Sequence, residues 1–181
     1  MKFIETDLSG SYVIELERRV DERGYFARSF CEREFADHGL PTRFPQCNLS
    51  RNESRGTLRG MHYEAPPSSE SKLVRCVSGA IYDVIVDLRI GSDSFLAWTG
   101  VELSAANGRA LFVPAGFAHG FITLADATDV LYHMGDFFRE GAARGSRWND
   151  PSFGITWPLL PIVISERDAN YPDFDPKAAI T

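Results

Sequence analysis

Ala80-Ile81-Tyr82-Asp83-Val84-Ile85-Val86-Asp87-Leu88 is the stretch on which the fold turns. Successive side chains of a strand point to opposite faces, so residues two apart share one. Ala80, Tyr82, Val84, Val86 and Leu88 then make a wholly apolar face, while Ile81, Asp83, Ile85 and Asp87 mix aliphatics with carboxylates. Alternation of this kind reads as a strand helping to line a barrel or sandwich. An inward carboxylate is costly unless it is hydrogen-bonded or paired. Either the mixed face meets solvent, the commoner arrangement, or an acid sits in a polar cavity. In the second case Asp83 is a candidate partner for an imidazole.

Outward from this strand the same pattern recurs. Strand-like runs are expected at Tyr12 to Leu16, Gly24 to Phe30, Gln46 to Asn52, Thr57 to Tyr63 and Lys72 to Val77. Others follow at Trp98 to Leu103, Ala110 to Val113, His119 to Leu124 and Asp129 to Met134. Turn signals separate them, among them Ser78-Gly79, Gly91-Ser92-Asp93, Ala106-Asn107-Gly108 and Pro114-Ala115-Gly116. Glu32 to His38 alone looks clearly helical, closing at Gly39, with a short helical turn expected near Ser165 to Asn170 in a looser C-terminal segment. Many short strands at this spacing predict an all-β sandwich or barrel. With no repeats and no linker, residues 1–181 read as a single domain.

Composition narrows the function. Hydrophobic and charged fractions of 44% and 24% fit an ordinary globule. A formal charge of -6 argues against nucleic-acid partners and acidic membrane surfaces. Cys31, Cys47 and Cys76 lie outside any CxxC pattern and read as buried small hydrophobes in a reducing compartment. Glu5 and Asp7 fall where a signal peptide would need an apolar core, and no run approaches membrane-spanning length. A cytoplasmic location is the expectation.

The chemistry concentrates in Thr57-Leu58-Arg59-Gly60-Met61-His62-Tyr63 and in Lys72 beyond it. Strict alternation puts Arg59, Met61 and Tyr63 on one face, and Leu58, Gly60 and His62 on the other. An inward imidazole is a candidate proton carrier, although a lone histidine is more often a hydrogen-bonded core residue. His119 enters a strand directly after a turn, and His38 ends the helix facing water. No HxH, HExxH or comparable ligand spacing is present, so no metal site is expected. Tyr132 is either core or an acid opposite a histidine base. Asp168 is either a solvated loop charge or the carboxylate that fixes a histidine tautomer. Arg23 and Arg59, with Gln46 and Asn48, could hold a phosphate and sugar or base groups through guanidinium and amide side chains. Walker and GxGxxG loops are absent.

Together these segments resemble the dTDP-4-dehydrorhamnose 3,5-epimerase family, a group of cupin-type nucleotide-sugar epimerases. The resemblance rests on Asp21-Glu22-Arg23-Gly24-Tyr25-Phe26, Gln46-Cys47-Asn48-Leu49-Ser50, Gly56 to Tyr63, Lys72 to Cys76 and Asp83 to Arg89. It continues through Pro114 to Phe121, Tyr132, Trp148-Asn149-Asp150-Pro151 and Ser165 to Asp168. It implies an all-β cupin jelly-roll barrel (a double-stranded β-helix) with short peripheral helices, and a homodimer whose N-terminal segment reaches into the partner's site. It implies a reaction needing neither metal nor cofactor on a nucleotide-linked 4-keto-6-deoxyhexose. His62 would be the base paired with Asp168, Tyr132 the acid, and Lys72 the stabiliser of the enolate. His119 would support the site, paired with Asp83. Arg23, Phe26, Gln46, Asn48 and Arg59 would hold the nucleotide diphosphate, with Arg167 standing where the family usually has a lysine.

Some residues depart from that pattern. Arg28 and Ala143 stand where members carry glutamates, Phe137-Phe138 replaces a tyrosine pair, and His133-Met134 replaces a lysine-containing pair. The nucleotide base and the number of inverted carbons stay open on this reading. So do four rivals: a metal-dependent cupin, a 3,4-ketoisomerase, a mono-epimerase on another nucleotide sugar, and a non-catalytic sugar-nucleotide binder. The last would be expected to have lost His62, Lys72, Tyr132 or Asp168, and all four are present.

Overall fold

The computed structural model describes residues 1–64 and 70–178. Strands dominate it: β1 (Lys2–Glu5), β2 (Tyr12–Glu15), β3 (Arg19–Asp21) and β4 (Gly24–Phe26) precede the short helix α1 (Glu32–Asp37). Then come β5 (Gln46–Asn52), β6 (Thr57–Glu64), β7 (Lys72–Ser78), β8 (Ala80–Asp87), β9 (Trp98–Ser104) and β10 (Ala110–Val113). β11 (Phe117–Thr123), β12 (Thr128–Met134), β13 (Ala143–Gly145), β14 (Val163–Ile164) and the single-turn helix α2 (Glu166–Ala169) complete it, with a 3-10 turn at Pro176–Ala178. One sheet runs β1-β2-β10-β7-β12-β5, and a second runs β13-β6-β11-β8-β9 with β14 added in parallel to β6. They face each other as a jelly-roll barrel, as expected. Among the described residues no helix is long and apolar enough to cross a membrane.

Three apolar clusters hold the barrel together. Between the sheets, Val74, Leu111 and Val130 meet Ile81, Ile85, Leu103 and Phe121. Outside the second sheet, Val84, Val86 and Leu88 pack with Met61 under Phe153 and Phe174 of the C-terminal segment. Outside the first, Phe35 of α1 is fully buried against Ile14, Leu73, Ala110 and Phe112. Truncating such a residue, Phe35→Ala, costs about 3–5 kcal/mol by lost transfer energy and cavity formation. Both faces of β8 are therefore buried. Its wholly apolar face lies outside under the C-terminal segment, and its mixed face, with Asp83 inaccessible to solvent, points into the barrel. The rarer of the two sequence readings holds because His119 partners that acid.

Other expectations need correction. Only Gly24–Phe26 of the run to Phe30 is strand, paired with Arg19–Asp21 in a hairpin of its own. β1, β13 and β14, short or lacking clear alternation, were not expected. Cys76 alone of the three cysteines is buried, its thiol pushed up to about 11 by burial, whereas Cys47 is exposed. The alternation expected along β6 breaks at its centre. Three steps on β6, from Arg59 to His62, oppose two on β11, from Phe121 to His119. The extra residue turns the strand over, so Arg59 and His62 both reach one cavity while Met61 is buried on the other side. Glycines permit this close approach: a Cβ at Gly60, whose φ is +132°, would lie 2.6 Å from Gly120 Cα.

Candidate active site

Two cross-strand pairs, one from each sheet, make the centre of a cavity of about 340 Å³ inside the barrel. On the second sheet His62 of β6 stands opposite His119 of β11. On the first, Tyr132 of β12 stands opposite Asn48 of β5. Directly opposed residues of an antiparallel pair place their side chains side by side on one face. The barrel thus turns a distance of 70 residues between His62 and Tyr132 into a shared chamber.

Each histidine is fixed by a buried carboxylate. His62 Nε2 lies 2.8 Å from Asp168 Oδ1. Asp168 is carried by α2, whose N-cap Ser165 Oγ accepts the Asp168 backbone N–H, and its Oδ2 accepts the Gly60 N–H at 3.1 Å. Burial opposes ionisation of Asp168, yet the bonds from His62, Gly60 and Ser165 outweigh it and hold the carboxyl below its ordinary range. An ionised carboxylate only accepts, so in the neutral imidazole it is Nε2 that carries the proton and Nδ1 that keeps a lone pair. His119 Nε2 lies 2.7 Å from Asp83 Oδ1, both groups buried.

Tyr132 meets His119 edge-on with ring centroids 6.0 Å apart. Burial raises its phenol far above the usual range, the charge of Asp83 adds to this, and Arg59 opposes it. The hydroxyl therefore stays protonated throughout the physiological range. Lys72 of β7 enters the same cavity, its Nζ 2.9 Å from Glu70 Oε2. Arg59 is aimed by Asn52, whose Oδ1 accepts from Nε at 2.7 Å. Arg167 also lines the cavity; Gln46 is not among its lining residues but accepts, through Oε1, the backbone N–H of Phe138, which is.

The structure thus brings together Asn48, Arg59, His62, Lys72, His119, Tyr132 and Arg167, with Asp168 and Asp83 directly behind the two imidazoles. Arg23 and Phe26 are not among them. They sit on the β3–β4 hairpin, strongly exposed, with Arg23 paired to Asp21 of its own turn. Ser50, Tyr63, Phe121, Met134, Phe138 and Arg144 also line the cavity and were not named as site residues from sequence. Ser50, Phe121 and Met134 lie two residues from Asn48, His119 and Tyr132, so period-two alternation carried a signal for them. Arg144 had none, because β13 is too short to show a period. Among the described residues no three His, Cys, Asp or Glu side chains converge as metal ligands would.

A profile of the dTDP-4-dehydrorhamnose 3,5-epimerase family matches residues 5–176. The dTDP-4-dehydrorhamnose 3,5-epimerase of Methanothermobacter thermautotrophicus is 45% identical over 173 residues, spanning 94% of this chain and 92% of that protein. A crystal structure of the Bacillus anthracis dTDP-4-dehydrorhamnose 3,5-epimerase with TDP and PPi bound is similar with a TM-score of 0.92 at 39% identity, covering 96% of this chain and 99% of that one. A 3'-monoepimerase from Streptomyces bikiniensis in complex with dTDP-quinovose is similar with a TM-score of 0.83 at 32% identity, covering 93% and 85%. Likeness that runs almost end to end in both sequence and backbone leaves one assignment: the chain belongs to the dTDP-4-dehydrorhamnose 3,5-epimerase family.

Proposed function

We propose that the protein is an isomerase that inverts C3 and C5 of a dTDP-linked 4-keto-6-deoxyhexose, converting dTDP-4-dehydro-6-deoxy-D-glucose to dTDP-4-dehydro-L-rhamnose. The observation that carries this reading is that His62 and Tyr132 enter one cavity from opposite sheets. In the proposed reaction His62 Nδ1 removes the proton on a carbon next to the C4 ketone. The C–H electron pair passes to the ketone oxygen as an enolate, and the Lys72 ammonium steadies that charge. The enolate's electron pair then returns to the carbon as Tyr132 delivers its phenolic proton to the opposite face, re-forming the ketone. Solvent protonates the tyrosinate and takes the proton from the His62 imidazolium before the second carbon reacts. Asp168 stabilises the imidazolium, and the His119–Asp83 pair supports the Tyr132 side of the ring.

The magnitudes are in keeping with these roles. A positioned base contributes about 10²–10⁴-fold. One donor aimed at the developing oxyanion is worth roughly 2.7–4 kcal/mol. Arg59 and Arg167 supply positive charge for the diphosphate, with Asn48 and Gln46 as amide partners for the nucleotide. The account requires no metal or cofactor. A homodimer completes it, in which the β3–β4 hairpin of one protomer brings Arg23 and Phe26 to its partner's cavity. Support for that arm is its exposed apolar surface, Val20, Tyr25 and Phe26 being 77%, 50% and 74% accessible. A cytoplasmic location goes with this reading.

A second reading, inversion at one carbon only, is favoured by the cavity wall. Phe138 and Ala143, two of the departures from the resembled family pattern read in the sequence, line it. One experiment addresses both readings. Purified protein is incubated in D₂O with dTDP-, CDP-, GDP- and UDP-linked 4-keto-6-deoxyhexoses, and NMR follows deuterium entry at C3 and C5. Deuterium at both carbons of the dTDP sugar, abolished by His62→Asn, is the expected result. Exchange at one carbon selects the second reading, and exchange undiminished by His62→Asn refutes His62 as the base.

A further inference from the structure

Tyr171 lies three residues beyond Asp168, on the segment that follows α2. Its ring meets the His62 imidazole edge-on with centroids 6.0 Å apart, and the Arg167 guanidinium carbon lies over the ring 5.5 Å from its centroid. The space it occupies is set by a missing side chain. Gly145 of β13 is the cross-strand partner of His62, so any side chain there would stand beside the imidazole. A Cβ at Gly145 would fall 2.3 Å from Tyr171 Cε2 and 2.4 Å from Cζ, closer than any real contact. Gly145 does not have a left-handed φ, so the turn of the chain does not require glycine here; the tyrosine ring does.

We propose that Tyr171 is a positioning residue for His62, its ring seated in the place left by Gly145 so that the imidazole is held in one plane against Asp168. This rests on the reading of His62 as the base. A hydrogen bond from Nε2 to Asp168 fixes one atom of the ring but leaves it free to swing about that bond. An aromatic edge on its flank removes the swing, and with it the error in where Nδ1 points. The side chain of His62 is 42% exposed, so little else restrains it on the cavity side. The Tyr171 hydroxyl is buried without a hydrogen-bond partner among the described residues. The contacts with His62 and Arg167 are made by the ring, which is the working part of this proposal.

The test compares Tyr171→Phe, Tyr171→Ala, Gly145→Ala and the Gly145→Ala/Tyr171→Ala double variant, by deuterium exchange across a range of dTDP-sugar concentrations. Tyr171→Ala lowers kcat by about 10–10²-fold, the effect of a misplaced catalytic group, and leaves KM unchanged. Tyr171→Phe keeps the wild-type kcat and is at least as heat-stable, because it discards an unpartnered buried hydroxyl. Gly145→Ala lowers kcat alone, yet adds little to Tyr171→Ala, since its clash then has no partner. A loss in Tyr171→Phe matching that in Tyr171→Ala overturns the proposal, as does an unchanged kcat or a raised KM in Tyr171→Ala. Should Tyr171→Ala fail to fold, the Phe and Gly145→Ala variants decide alone: wild-type kcat in Gly145→Ala refutes the proposal. His62→Asn in the same assay separates this outcome from failure of the base assignment, because exchange that survives His62→Asn removes the base itself.

Discussion

Replacing Asp168 by asparagine isolates the charge behind the proposed base. The substitution preserves size in a site where Asp168 is 5% exposed and where Gly60 N–H and the Ser165 cap hold the segment in place. Two losses follow. A charge-assisted hydrogen bond at 2.8 Å becomes a neutral one, and bonds to charged groups are worth about 1.5–3 kcal/mol. A neutral bond keeps about 0.5–1.5 kcal/mol of that. At 1.36 kcal/mol per factor of ten the difference, about 1–1.5 kcal/mol, alone slows proton removal by roughly 5- to 13-fold. The carboxamide can also turn its NH₂ toward Nε2, which moves the imidazole proton to Nδ1 and blocks the basic atom. A tautomer error of this kind has cost about 10⁴-fold in a comparable Asp–His arrangement, so the total should fall within about 10²–10⁴-fold. The assay is deuterium entry into the saturated dTDP-4-keto-sugar, with circular dichroism to show that the variant is folded. A folded Asp168→Asn protein exchanging at more than about a tenth of the wild-type rate would refute the pairing argument.

Further outcomes follow from the same geometry. Lys72→Met should lower kcat by about 10²–10³-fold by removing the donor to the enolate, read in the same exchange assay; a change confined to KM would make Lys72 a binding group. Gly60→Ala should destabilise the fold by about 2–5 kcal/mol, combining a wrong-handed φ with the contact on Gly120, and a melting temperature within a degree or two of wild type would contradict this. Acid should unfold the protein through its depressed carboxyls. Burial pushes Asp87 up, but the bonds from Arg89, Ser92 and Ser94 outweigh this and lower it, and Asp168 and Asp150 are lowered likewise. A folded-state value below the unfolded one gives stability that is present above about pH 3.9 and lost as pH falls through the folded value. Thermal melts between about pH 5 and 2 should show a steadily falling midpoint, and a midpoint that holds or rises would be inconsistent with those bonds.

The barrel was legible in the sequence wherever a strand had one buried face and enough length to show it. β5, β10 and most of β12 fall where alternation put them, and α1 ends before Gly39. β8 was legible as a strand but its orientation was not, because burial of both faces depends on a C-terminal cover that no local pattern announces. The face of β6 was misread for a sharper reason. One added residue opposite β11 reverses every later side chain, and nothing in Leu58-Arg59-Gly60-Met61 distinguishes a strand with that bulge from one without it. Most of the chemistry-bearing side chains expected to share a site do share one cavity, Arg23 and Phe26 excepted, while residues such as Tyr171 and Arg144 were not anticipated. Histidine, lysine and tyrosine stand out by type, whereas Gly145 and Tyr171 matter only through a meeting of two distant segments.

The most direct test of the central claim is a single incubation of Tyr132→Phe with the dTDP-4-keto-sugar in D₂O, reading deuterium content and configuration at C5 from the same NMR spectra. If base and acid work from opposite sides of the sugar ring, the variant still exchanges the C5 proton through His62 while inversion at that carbon falls much further. Exchange and inversion that decline together, or inversion that survives intact, would contradict the account.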